Sequence, residues 1–186
     1  KATSESTVML YVGRLSPEKE IDVVVNAYLA MKQRAKQDIK LVIVGDGPDR
    51  GRLETLCQGS DVVFTGVLTG LNLAQAYASA NVFVFASQVE TFGNVVLEAM
   101  ASGLPIIAYD YASAHLHVKH AETGWLSPLS DVSSLIQSIY ALPNKQQLKS
   151  MGLLARKTVQ HIGWQYPVHQ FEEALYGVVK EIQMTS

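Results

Sequence analysis

Five short runs of Val, Ile, Leu, Phe and Tyr recur along the chain, separated by segments of helical length, and nothing else in the sequence restricts the fold as tightly. The runs are "TVMLYVG" (7–13), "KLVIVG" (40–45), "DVVFTG" (61–66), "NVFVFAS" (81–87) and "LPIIAY" (104–109). They are continuously apolar rather than alternating, so each is predicted to be a strand buried on both faces of a parallel sheet. "TGWLSP" (123–128) is expected to add a short sixth strand. The intervening segments 20–37, 48–58, 70–80 and 91–103 carry helix-favouring residues, with Pro48 and Thr69 suited to helix starts. Parallel neighbours need crossover connections, and strand–helix alternation supplies them. The prediction is a doubly wound, Rossmann-like α/β sheet. From "DVSSLIQSIYAL" (131–142) onward the pattern is purely helical, broken at Pro143 and near Pro167.

At 186 residues and 48% hydrophobic, the chain is long enough to bury the core of one domain, 1–186. A formal net charge of -2 with scattered Lys and Arg gives no basic surface, so neither nucleic acid nor an anionic membrane is expected as a partner. No apolar run reaches the roughly 18 residues of a membrane span, and no charged-then-apolar leader is visible. The lone cysteine, Cys57, allows no internal disulfide and reads as a small buried hydrophobe in a reducing, cytoplasmic setting. The sequence opens on Lys1 rather than Met, and the expectation is a piece of a longer protein.

Doubly wound sheets bind ligands at the carboxyl ends of their strands, so the residues just past each strand carry the chemistry. After the first strand, "GRLSPEKE" (13–20) places Arg14 and Lys19 on one loop. Two cations held together repel unless an anion lies between them, and a diphosphate matches such a fork. Solvated loop charges are the other reading. After the second strand, "GDGPDRG" (45–51) is a glycine-rich turn without the Lys-Ser/Thr of a P-loop and without G-x-G-x-x-G, and by itself reads as structural. After the third, "TGVLTG" (65–70) brackets Val67 and Leu68 with glycines, which suits a slot for a flat base.

The fourth junction, "ETFGNVVLEAMASG" (90–103), carries two carboxylates in an otherwise apolar run. Positions eight apart on one helix differ by about 80° around the axis, so Glu90 and Glu98 are not expected to share a face. Glu90 is therefore placed on the rim before the helix, with Thr91, Phe92, Gly93 and Asn94 in the first turn. The unpaired amides of that turn favour an anion, and Gly93 permits its close approach. Glu98 is expected to be buried two turns in, where a carboxylate needs a partner. Ribose hydroxyls or a structural Lys or Arg would serve. For Glu90, plain helix capping is the alternative.

Taken together, "VGRLSPEKEID", "LVIVGDGP", "VVFTGVL" and above all "ASQVETFGNVVLEAMASGLPIIA" resemble the carboxyl-terminal, donor-binding domain of GT-B glycosyltransferases of the retaining group 1, family four, over nearly the whole chain. Glu90 and Glu98 match that family's E-x7-E signature. The resemblance implies that Arg14 and Lys19 bind the diphosphate of a nucleotide sugar with the amides of Gly93, Asn94 and Val95. It also implies that Glu98 holds the ribose, Glu90 the donor sugar, and Val67 and Leu68 the base. It further implies transfer with retained configuration, by same-face attack and without a metal or other cofactor. An acceptor, a sugar or a lipid-linked sugar, would be bound by an amino-terminal domain, onto which amphipathic helices in 163–186 cross, so that this chain alone would be inactive.

Two departures from the family pattern stand out. Glu20 follows Lys19 where many relatives have Gly. The usual Gly-Gly and downstream Glu are replaced by "YDYASAHLHVKHAETG" (109–124), whose contacts cannot be carried over. His115, His117 and His120 in that stretch lack metal-ligand spacing and read as solvated loop residues. Two other functions share the architecture: a sugar-nucleotide epimerase, for which no catalytic signature is present, and a non-catalytic nucleotide-sugar-binding domain, against which the joint retention of Arg14, Lys19, Glu90 and Glu98 argues.

Overall fold

The computed structural model describes residues 6–34, 38–90 and 93–162. Six parallel strands form one sheet: β1 (Thr7–Val12), β2 (Ile39–Val44), β3 (Val63–Gly66), β4 (Val82–Phe85), β5 (Ile106–Tyr109) and β6 (Gly124–Ser127). Their order across the sheet is β3-β2-β1-β4-β5-β6, the doubly wound arrangement expected from strand–helix alternation. The crossovers are α1 (Ile21–Arg34), α2 (Arg50–Leu56), α3 (Gly70–Ser79), α4 (Asn94–Ala101) and α5 (Ala112–His117), followed by α6 (Val132–Tyr140) and α7 (Lys145–Val159).

The order reverses between β1 and β4. There the ladder spans only two residue pairs, Met9 with Val82 and Leu10 with Phe83, whereas β1 and β2 share six. The central strands are apolar because both faces are covered: every residue of β4 and β5 and the last four of β1 are buried. β3 departs from the prediction of two buried faces. It has a neighbour on one side only, its residues are exposed or half-buried, and Val63 is 45% exposed.

Side-chain caps mark the starts of two helices, α6 and α7. Thr69 precedes α3 in an extended conformation, although its hydroxyl makes no capping bond. Pro48 lies in the turn ahead of Asp49 and not in the first turn of α2. Asp131 and Asn144 cap α6 and α7 by accepting from the Ser134 and Gln147 amides. The stretch 109–124 is not all loop, since α5 carries His115 and His117 in its last turn. Cys57 is buried, as expected.

Aromatic residues run through the core in a chain. Tyr11 of β1 stacks on Phe85 of β4 at 6.1 Å, Phe85 on Phe83 at 6.0 Å, and Phe83 meets Tyr77 of α3 at 6.1 Å. Buried tyrosines need partners for their hydroxyls. Tyr11 donates to the Arg14 carbonyl at 3.1 Å, Tyr109 to Glu20 at 2.9 Å and Tyr77 to Glu98 at 2.9 Å. Among the described residues no helix is long and apolar enough to cross a membrane.

Candidate functional site

A cleft of about 310 Å³ opens at the carboxyl ends of β1 and β4, where the strand order reverses. Arg14, Lys19, Glu90, Gly93, Asn94 and Val95 line it together. Six of the residues singled out from the sequence, on two loops distant in the chain, thus meet in one place. Thr91 and Phe92 lie outside the described residues.

The loop after β1 is held from below by the turn after β2. Gly13 and Leu15 donate to the carbonyls of Val44 and Asp46, and Asp49 donates to that of Leu15. The two backbones approach so closely that a Cβ at Gly45 would fall 1.9 Å from the Gly13 carbonyl oxygen, and one at Gly47 would fall 2.2 Å from that of Leu15. This explains the first two glycines of "GDGPDRG": Gly45 and Gly47 let one turn support another, as the structural reading predicts. Arg14 is exposed at the mouth.

Lys19 reaches inward from a short 3₁₀ turn, Pro17–Lys19. Its Nζ donates to the Val89 carbonyl at 2.7 Å and to Glu90 Oε2 at 3.2 Å, and stands 5.7 Å from the centre of the Phe85 ring. The two side chains are only 16% and 19% exposed, so the pair is partly screened from water. An anion does sit beside one of the loop cations: Glu90 pairs with Lys19. The second carboxylate oxygen, Oε1, accepts from the Gly93 amide at 3.2 Å. Glu90 therefore stands before α4, as the 80° argument predicts, and also takes part in capping it.

Gly93 precedes α4 with φ +63, a left-handed conformation that favours glycine. The leading amides of a helix have no intrahelical acceptors, and Gly93, Asn94 and Val95 at the amino end of α4 line the cleft. A cation pair, a helix amino end and a carboxylate thus converge on one concave surface. That combination suits a polyanion joined to a polyhydroxyl group.

Glu20 is the first of the two departures from the expected family pattern. Its backbone is left-handed, φ +46, a conformation that favours glycine. Its carboxylate points away from Lys19 and accepts from the Tyr109 hydroxyl and the Gln88 side-chain amide; Gln88 accepts in turn from Ser130. With the backbone bond from Gln88 to the Glu18 carbonyl and the two bonds of Lys19, these contacts stitch the loop after β1 to the loop after β4. Sequence reasoning missed Gln88 and Tyr109. The signal available was the Glu20 departure itself, since a carboxylate in place of Gly calls for donors nearby. Burial first, then the Glu20 carboxylate, pushes the Tyr109 phenol up, so it remains a donor.

Glu98 corrects the prediction of burial. It is exposed, on the α4 face toward α3, and its partner is the Tyr77 hydroxyl rather than Lys or Arg. Burial, then Glu98, raises the Tyr77 phenol, which therefore stays protonated and donating. Helical rotation places Val96, Ala99 and Met100 in the core and leaves position 98 outside it. Glu98 does not line the Lys19 cleft, but the aromatic chain Phe85–Phe83–Tyr77 connects the two. Val67, 68% exposed, and half-buried Leu68 follow the edge strand β3 and also lie outside the cleft lining.

His115 is exposed and pairs with Asp110 at 2.7 Å, while His120 accepts from the Leu126 amide. Among the described residues no three His, Cys, Asp or Glu are placed to hold a metal ion.

Comparison with known proteins agrees with this architecture. The family model described as Glycosyl transferases group 1 matches residues 6–145. A GDP-mannose-dependent alpha-mannosyltransferase of Mycobacterium tuberculosis is 40% identical over 155 residues, covering 83% of this chain and 38% of the relative. The sulfoquinovosyl transferase SQD2 of Arabidopsis thaliana is 33% identical over 177 residues, 93% of this chain and 34% of that protein. Among solved structures, sucrose-phosphate synthase from Thermosynechococcus elongatus superposes with a TM-score of 0.78 at 31% identity, over 97% of this chain and 47% of that one. The chain thus spans little more than a third of the length of these two sequence relatives. On the matched residues, the sheet order and the fit to these relatives, the chain belongs to the group 1 glycosyltransferases.

Proposed function

We propose that this chain is the carboxyl-terminal, donor-binding half of a GT-B glycosyltransferase that moves a sugar from a nucleotide diphosphate sugar to an acceptor with retention of configuration. The observation that carries the reading is the convergence of Arg14, Lys19 and the amino end of α4 on one cleft, with Glu90 across it. In the reaction, the bond between the anomeric carbon and the diphosphate oxygen breaks, and its electron pair leaves with the phosphate. Arg14, Lys19 and the amides of Gly93, Asn94 and Val95 stabilise the charge that develops there. These groups supply the positive charge a divalent metal would otherwise bring, so the transfer runs without one. The acceptor oxygen bonds to the same face, and its proton passes to the departing phosphate oxygen.

In the empty cleft Glu90 holds Lys19. Arrival of the diphosphate gives Lys19 a stronger anion and releases the outer carboxylate oxygen for the hydroxyls of the donor sugar. Glu98, accessible and oriented by Tyr77, accepts from the ribose hydroxyls, while Val67 and Leu68 cover the base. Thr91 and Phe92 belong to the same donor loop. The acceptor site lies in an amino-terminal domain beyond this chain; residues 163–186, which the sequence expectation assigns to crossing onto it, lie outside the described residues. The isolated chain therefore binds donor without turning it over. The full protein acts on a sugar or lipid-linked acceptor in the cytoplasm.

The test is a panel of nucleotide sugars offered to the full-length protein, GDP-mannose first because mannosyltransferase relatives depend on it by name. Donor hydrolysis is the readout, with calorimetric titration of nucleoside diphosphates into this chain beside it. Absence of nucleoside diphosphate binding to both proteins would overturn the assignment.

A further inference from the structure

We propose that Ser113 is a positioning residue for Glu90, acting through one water molecule held between the two side chains; this rests on the reading of Glu90 as the carboxylate that holds the donor sugar. Ser113 lies in the first turn of α5 and is 5% exposed, and its hydroxyl has no hydrogen-bond partner among the described residues. A buried hydroxyl left unsatisfied is costly enough that native proteins pair nearly all of them, with protein or with water. Ser113 lines a cavity of about 10 Å³. A space of roughly that size admits the centre of one water molecule.

The other polar side chains around the cavity narrow the choice of partner. Tyr109 is committed to Glu20, and the Ser87 hydroxyl donates to the Val89 carbonyl. Tyr111 is 39% exposed and meets solvent. Glu90 is the charged acceptor on the wall, and a carboxylate can accept from a water beyond its bonds to Lys19 and Gly93. The two groups also share a neighbour: a Cβ built on Gly93 would lie 3.3 Å from both Ser113 Oγ and Glu90 Cγ. Ser113 donates to the water and the water donates to the Glu90 carboxylate. When a diphosphate draws Lys19 away, this bridge keeps Glu90 aimed at the sugar.

Ser113→Ala tests the proposal, because it keeps Cβ and removes only the hydroxyl. Calorimetry compares GDP-mannose with GDP, or whichever donor the panel selects with its diphosphate. Affinity for the sugar nucleotide should fall about 3- to 10-fold, the effect of weakening one hydrogen bond to a charged group, while affinity for the diphosphate stays within about twofold. A merely structural role would weaken both equally, and that result, or no change in either, overturns the proposal. A high-resolution crystal structure of the unsubstituted chain should place a water within hydrogen-bonding distance of Ser113 and Glu90, and a dry cavity also overturns it. If the unsubstituted chain binds neither nucleotide, the functional reading fails instead, and the crystallographic water still decides whether Ser113 orients Glu90.

Discussion

Replacing Gly93 by alanine probes the amino end of α4, the part of the cleft most dependent on backbone shape. Two costs add. The left-handed φ of +63 is unfavourable for an L-residue by roughly 1–2 kcal/mol. The new Cβ would also lie 2.4 Å from the Ser113 Cβ, well inside contact distance, and the shift this forces between α4 and α5 costs about 1–3 kcal/mol more. The expected destabilisation is therefore about 2–5 kcal/mol. Gly70 provides the control: its φ is +53, but nothing lies within 4 Å of the position its Cβ would take. Gly70→Ala should show the backbone cost alone, about 1–2 kcal/mol. Urea unfolding measures both variants, with differences in midpoint converted through a common slope. Combining Gly93→Ala with Ser113→Gly removes the atom that the new methyl meets. A double-mutant cycle through these two positions should then return a favourable coupling of about 1–3 kcal/mol. If Gly93→Ala costs no more than Gly70→Ala, or if the cycle gives no coupling, the close packing of α5 beneath the α4 turn is not what makes glycine necessary there.

Other expectations concern chemistry and pH. Lys19→Ala in the full-length protein should lower turnover by about 100- to 1000-fold, equivalent to roughly 3–4 kcal/mol of transition-state stabilisation, as read by donor consumption; a loss under tenfold would remove Lys19 from the phosphate site. Glu98→Gln keeps an acceptor for Tyr77, so stability should stay within about 0.5 kcal/mol. Its nucleoside diphosphate affinity should fall about tenfold, with no further loss for a 2′,3′-dideoxy analogue; if the analogue still loses affinity in the variant, another group reads the ribose. Burial, assisted by His161, holds the His117 imidazole below its ordinary value of 6.5. The unfolded chain then takes up a proton near that pH that the folded chain resists, so stability should fall as pH drops below 6.5 and level off beneath the folded value. His117→Gln should flatten this slope in urea titrations between about pH 7 and 5, and an unchanged slope would place the effect elsewhere.

The sheet was legible because burial on both faces forces continuous apolar runs: β1, β4 and β5 fall within the predicted spans, and β2 begins one residue before its own. β3 was legible as a strand but not as an edge, since "DVVFTG" does not record how many neighbours a strand has. The loops carrying Arg14, Lys19 and Glu90 could be placed from the rule that ligands gather at strand carboxyl ends. That Lys19 pairs with Glu90 could not, because the contact depends on β1 and β4 becoming neighbours across 71 residues of sequence. Glu98 was misjudged for a related reason. Apolar neighbours in sequence suggested burial, but helical rotation sends Val96, Ala99 and Met100 inward and position 98 outward. Ser113 gave no signal, since nothing local marks a hydroxyl that will lie under a glycine turn from another helix.

The seam between β1 and β4 has a mechanical consequence. Two ladder pairs join the two halves of the sheet there, and the Asn81 bonds to Val8, the Tyr11–Phe85 stack and the loop stitches above add to them. A nucleotide sugar gripped by Lys19 on one side and by the α4 turn on the other would act as a rivet through that joint. Substrate would then tighten the protein along that seam, and amide exchange in β1 and β4 should slow on donor binding more than exchange in β2 or β6.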